Sequence, residues 1–142
     1  MMPPLLIDNS AWARLADRRL SQKRVDEVAE AADSGALYVC APFLLEAASS
    51  ARTAGEHDSV LEQLLSLPWA AIDETVEREA IDGQRQLART GHHRMPPVDL
   101  LIAAIAHVHR VGVLHYDRDF DLIRTKTSLR FQSVWLARAG SL

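Results

Sequence analysis

Short apolar runs alternate along this chain with longer stretches of helical periodicity. Leu5-Leu6-Ile7 is a compact run of strand type, and Ser10 is placed to cap a helix running to about Leu20. Val25, Val28, Ala29 and Ala32 fall on one helical face, which predicts a helix over 25–33 stopped near Gly35. Leu37-Tyr38-Val39-Cys40 predicts a second strand, and Pro42 suits the first turn of the helix after it. Gly55 reads as a break before a helix over 57–67, which Pro68 ends, and Trp69-Ala70-Ala71-Ile72 as a weaker strand. A long amphipathic helix over 74–90 turns Val76, Ala80 and Leu87 inward and closes at Gly91. Pro96-Pro97 open the most apolar helix, over 98–110, with Gly112 as its expected cap. Val113–Tyr116 and Phe131–Leu136 complete the strands.

Strands that alternate with helices predict an α/β protein, a three-layer α/β/α sandwich around a mainly parallel sheet. A length of 142 residues suits one domain spanning 1–142, and there is no repeat, linker or low-complexity segment to divide it.

Hydrophobic residues make up 48% of the chain and charged residues 25%, an ordinary globular balance. Met1-Met2-Pro3-Pro4 lacks the basic region of a signal peptide, and no run approaches the ~18–20 apolar residues of a membrane span. Cys40 is the sole cysteine, so no internal disulfide is available and a small buried thiol is expected. The cytoplasm is the expected location. A net charge of −3 argues against a nucleic-acid-binding protein, but its distribution changes that picture. Arg14, Arg18, Arg19, Lys23 and Arg24 cluster against Asp17 alone, and residues 84–98 hold Arg85, Arg89, His92, His93 and Arg94 without an acid.

The acids carry the chemistry. Asp8 ends the first apolar run, Glu46 interrupts Phe43–Ala48, Asp99 opens Leu100–Ile105, and Asp117 and Asp119 follow Val113–Tyr116. An ionised carboxylate removed from water costs several kcal/mol unless paired or bound to a cation. Too few lysines or arginines stand beside these five in sequence to pair them all. In a parallel sheet, Asp8 and Asp117 lie at the carboxyl edge of their strands, where the helices bearing Glu46 and Asp99 begin. Five acids at one edge imply a shared divalent cation, and an oxygen-only set points to Mg²⁺ or Mn²⁺ rather than zinc. Asp8, Asp99, Asp117 and Asp119 are the expected metal ligands. Arg85 and Arg89, four apart on a helix, and Arg94 are candidate phosphate contacts.

Leu6-Ile7-Asp8-Asn9-Ser10-Ala11-Trp12, Glu46 in a Pro-x-x-x-Glu helix start, Pro97-Val98-Asp99-Leu100-Leu101-Ile102-Ala103-Ala104 and Asp117-Arg118-Asp119-Phe120 together resemble the PIN-domain ribonucleases. The resemblance is strongest to the VapC toxins of bacterial toxin–antitoxin pairs and covers the whole chain. It implies a catalytic acidic quartet of Asp8, Glu46, Asp99 and Asp117, with Asp119 as a frequent fifth acid, and Ser10 as the hydroxyl residue near metal and nucleic acid. It also implies endonucleolytic hydrolysis of RNA and a cognate small antitoxin that blocks the acids. A homodimer is expected on separate grounds, two-fold pairing being the commonest assembly. For the dimer surface, Trp12 and the small-residue helix near Glu46 are the candidates. His115 departs from the Thr or Ser that many relatives carry there.

Other readings of the acids fit less well. A receiver domain requires a lysine at a late strand end, and the chain has only Lys23 and Lys126. A haloacid-dehalogenase-type phosphatase carries Asp-x-Asp after its first strand, not near the end. The alternative from another class is a non-catalytic PIN-like module that binds RNA or a protein.

Overall fold

The computed structural model describes residues 2–142. Its strands are β1 (Leu5–Ile7), β2 (Leu37–Tyr38), β3 (Gly112–His115) and β4 (Ser133–Trp135). They form one parallel sheet in the order β2-β1-β3-β4. Every residue of β1 and β3 is buried, so both faces of these central strands are covered. The helices that cover them are α1 (Asn9–Trp12), α2 (Gln22–Asp33), α3 (Ala41–Ser49), α4 (Ala54–Leu64), α5 (Glu74–Arg89), α6 (Pro97–His109) and α7 (Asp119–Lys126). The three-layer α/β/α sandwich expected from the alternation is the architecture observed.

The chain first crosses from β1 to β2 on one side, then returns to place β3 on the other side of β1. The carboxyl ends of β1 and β3 therefore flank the point where the winding reverses, the usual place for a crevice in an open parallel sheet. Register pairs Leu6 with Val113 and Ile7 with Leu114, so the residues after both strands emerge side by side. Gly112 makes this closeness possible. A Cβ there would stand 2.7 Å from Leu5 Cδ2 and 2.8 Å from the Gln132 carbonyl.

Several boundaries differ from the sequence expectation. Asp8, not Ser10, caps the first helix, which ends at Trp12 instead of reaching Leu20. Ser21 caps α2, which buries Val28 and Ala31 and leaves Ala29 exposed. Thr53 caps α4 by accepting the Glu56 N–H, so Gly55 lies inside its first turn. Trp69-Ala70-Ala71-Ile72 is reduced to a single bridge between Val39 and Trp69. Arg110, at φ 58°, ends α6 in the left-handed conformation; Gly112 instead begins β3. The helix α7, which follows Asp117, has no counterpart in the sequence expectation.

Candidate metal centre

Asp8 leaves β1 with its backbone N–H bonded to the Leu114 carbonyl at 2.9 Å. Its Oδ2 accepts the Ser10 N–H at 2.9 Å, which caps α1 and fixes the carboxylate although the residue is only 4% exposed. Ser10 Oγ in turn accepts the Tyr116 N–H at 2.9 Å. On the β3 side, Asp117 Oδ1 accepts the Asp119 N–H at 2.9 Å and opens α7. Asp99 is set by Pro97 at the start of α6, in the first turn, where the helix dipole favours a negative charge. Glu46 is half-buried on α3, the helix that begins after β2.

Asp99, Asp117 and Asp119 each offer a carboxylate oxygen within 4.8 Å of the others. Asp8 and Glu46 border this trio, close enough for their charges to act on Asp99. Burial, then the charges of Asp8, Asp117, Asp119 and Glu46, push the Asp99 carboxyl up to about 7. Burial and Asp8 raise Glu46. Burial and Asp117 raise Asp119, with Arg118 opposing them. Among the described residues, no salt bridge engages any of the five acids. Negative charge is thus gathered with no salt bridge among the described residues to offset it, and an oxygen-only donor set of this kind fits a hard divalent cation. Cys40, buried at the head of α3, has its thiol pushed up to about 11 by burial first and then by Asp8 and Glu46, which makes it inert.

The basic candidates divide. Arg94 lines a hollow of about 420 Å³ shared with His92, His93 and Asp119, at the rim of the acidic cluster. Arg85 pairs with Asp82 at 3.5 Å on the exposed face of α5, and Arg89 is exposed in the last turn. Arg14, from the basic segment 13–24, lies with its guanidinium 4.7 Å from the centre of the Tyr116 ring and donates to the Ser10 carbonyl. Trp12 packs edge-on against buried Phe43 at 6.4 Å. The most exposed apolar residue beside the site is Leu45, at 73%. It borders a groove of about 490 Å³ with Pro42, Ile72, Val98 and Leu101, and Glu46 stands on its wall.

Sequence reasoning missed a polar chain behind Asp117. The Asp117 N–H donates to His115 Nδ1 at 3.1 Å, and His115 Nε2 meets Ser133 Oγ at 2.7 Å. Ser133 Oγ donates to Asp121 Oδ1 at 2.6 Å, and the Trp135 indole N–H donates to Asp121 Oδ2 at 2.8 Å. Burial lowers the His115 pKa, while Asp121, Asp8 and Asp117 oppose it. The available signal was the period of two in Ser133-x-Trp135, which puts both side chains on one face of β4.

The PIN domain family profile matches residues 5–126. The chain is 34% identical to Ribonuclease VapC51 of Mycobacterium tuberculosis over 137 residues, covering 96% of each chain. It is 33% identical to Ribonuclease VapC2 of the same species over 128 residues, covering 86% of each. Its fold is similar to that of a chain in DNA-bound VapBC from Salmonella typhimurium, with a TM-score of 0.74, 15% identity and coverage of 96% of this chain and 100% of that one. VapBC2 of Rickettsia felis, bound to a fragment of its promoter, contains a similar chain at a TM-score of 0.72 and 12% identity, with coverage of 92% and 97%.

Proposed function

The chain belongs to the PIN-domain family, and from that premise we propose that it is a metal-dependent endoribonuclease, the toxin of a toxin–antitoxin pair. The observation that carries the reading is the meeting of Asp99, Asp117 and Asp119 oxygens within 4.8 Å at the edge where Asp8 and Glu46 also stand. Asp8, Asp99, Asp117 and Asp119 would hold Mg²⁺ or Mn²⁺, with Glu46 completing the catalytic acids. When bound, the divalent cation supplies acidification of water and relief of charge at the scissile phosphate. Glu46, raised and half-buried, is suited to orient water and accept its proton. Ser10, in the first turn of α1 beside Asp8, is tied by the Tyr116 N–H to the loop that carries Asp117, and its hydroxyl is suited to donate to a phosphate. Arg94, at the rim beside Asp119, is suited to hold a neighbouring phosphate, with Arg89 and Arg85 further along α5. The VapC relatives, named ribonucleases at 34% and 33% identity, support RNA as the substrate.

The neighbours solved as VapBC toxin–antitoxin complexes support an antitoxin partner. Physically, the partner must cover or neutralise five carboxylates, and an arginine fork pairs well with such a group. The apolar groove at Leu45, Ile72 and Val98 supports an interface beside the site, and a homodimer is the assembly we assign. No described helix is long and apolar enough to cross a membrane, in keeping with action on RNA in the cytoplasm.

The test is cleavage of RNA by purified protein with Mg²⁺ or Mn²⁺, with chelation by EDTA, and with Asp99→Asn and Asp8→Asn. Cleavage that needs the cation and is lost in both folded variants is the expected result. RNA binding without cleavage by the wild type would overturn the enzyme reading in favour of a binding module.

A further inference from the structure

The chain of hydrogen bonds behind Asp117 has only one consistent direction. A backbone N–H can only donate, so the His115 Nδ1 that receives the Asp117 amide carries no proton. The proton of the neutral ring is then on Nε2 and points at Ser133 Oγ, 2.7 Å away. The serine hydroxyl accepts it and passes its own hydrogen to Asp121 Oδ1 at 2.6 Å. Asp121 is held from its other oxygen by the Trp135 indole. His115 itself is fully buried, with the Phe120 ring at 4.9 Å and the Trp135 ring at 5.0 Å between centroids. Neither ring face is open to solvent.

We propose that His115 is a positioning residue for Asp117: as the Nε2–H tautomer it links the Asp117 amide, through Ser133, to the Asp121 carboxylate, and so sets the loop that aims Asp117 and Asp119. The inference rests on the reading of Asp117 as a metal ligand. Its physical content is that Asp117 has no regular secondary structure to hold its amide. The imidazole supplies the acceptor, and β4 and α7 supply the anchor. Asp117 Oδ1 is occupied by the Asp119 N–H, which leaves the other carboxylate oxygen oriented by the backbone that His115 fixes. Partners of this kind behind a metal ligand affect metal affinity by about 10–100-fold when removed.

Two substitutions separate the halves of the link. His115→Asn places a carbonyl oxygen near the Nδ1 position and keeps an acceptor for the Asp117 amide. His115→Gln reaches the Nε2 position and keeps the contact to Ser133 but leaves the amide without a partner. The experiment measures Mn²⁺ affinity by calorimetry for wild type, His115→Asn, His115→Gln and Asp99→Asn, beside the unfolding midpoint of each. His115→Gln losing about 10–100-fold in affinity, with His115→Asn losing less than about tenfold at a similar midpoint, is the expected result. Equal losses in the two His115 variants, following their stabilities, would overturn the positioning role while leaving the metal site intact. Failure of the wild type to bind Mn²⁺, or undiminished binding by Asp99→Asn, would overturn both the site and the inference. Long-range ¹H–¹⁵N NMR of the wild type reads the tautomer directly and does not depend on any variant folding. A proton on Nε2 supports the link, and a proton on Nδ1 overturns it.

Discussion

Ser10 Oγ accepts the Tyr116 N–H at 2.9 Å, joining the first turn of α1, just after β1, to the loop that follows β3. One hydroxyl therefore closes the sheet edge on which Asp8 and Asp117 stand. The Ser10 N–H simultaneously holds Asp8, so the residue sets one acid directly and the other through the backbone.

Ser10→Ala removes the acceptor and strands the Tyr116 amide in a half-buried place. It is expected to cost about 1–2 kcal/mol in urea unfolding, whereas Ser10→Thr retains the bond and most of the stability. RNA cleavage should fall with Ser10→Ala more than with Ser10→Thr.

Without a cation, Asp99 makes stability depend on pH. Its carboxyl lies near about 7 in the folded protein against 3.8 for the unperturbed group, so the folded state holds the proton more tightly. Stability is then greatest below the unfolded value and declines as pH rises from about 4 to about 7. Asp99→Asn should flatten this slope and stabilise the cation-free protein by about 1–2 kcal/mol above neutrality, the linkage value being reduced by solvent screening. Thermal melts across the pH range in EDTA check this. Mg²⁺ at about 100 times its dissociation constant should add about 2.7 kcal/mol to the wild type.

Gly112→Ala tests the packing that brings the strand ends together. The new methyl would meet the Gln132 carbonyl at 2.8 Å, backbone that cannot swing aside, as well as the Leu5 side chain at 2.7 Å. A loss of about 1–3 kcal/mol is expected, seen as a lower urea midpoint with an unchanged slope.

Leu45→Glu tests the apolar groove beside Glu46. The residue is 73% exposed in the isolated chain, so folding stability should change by less than about 0.5 kcal/mol. Self-association measured by sedimentation should weaken if this groove is the dimer surface, and stay unchanged if it is not.

Much of the site was legible because each acid interrupts or ends an apolar run. Asp8 and Asp117 follow strands whose every residue is buried, and Asp99 heads the most apolar helix, so their placement follows from the sheet edge alone. The elements that escaped are those fixed by local hydrogen bonds. The side chain of Asp8 competes with Ser10 for the cap and wins, because it reaches the Ser10 N–H. Thr53 does the same for α4, and Gly55 no longer signals a break. The run 69–72 lost its strand because β2 stops at Tyr38, and the one bridge the run makes is to Val39, just past the end of that strand. The His115–Ser133–Asp121 link joins residues 12 and 18 apart across strand and helix, a contact that no periodicity along the chain records.

Manganese anomalous diffraction from crystals of the wild type and of Asp99→Asn tests the convergence of the acids most directly. The expected result is an anomalous peak in the wild type bounded by Asp99, Asp117 and Asp119, with Asp8 beside it, that vanishes in the variant. A peak elsewhere on the molecule, or one at this place that survives loss of the Asp99 carboxylate, would contradict a metal centre built from these residues.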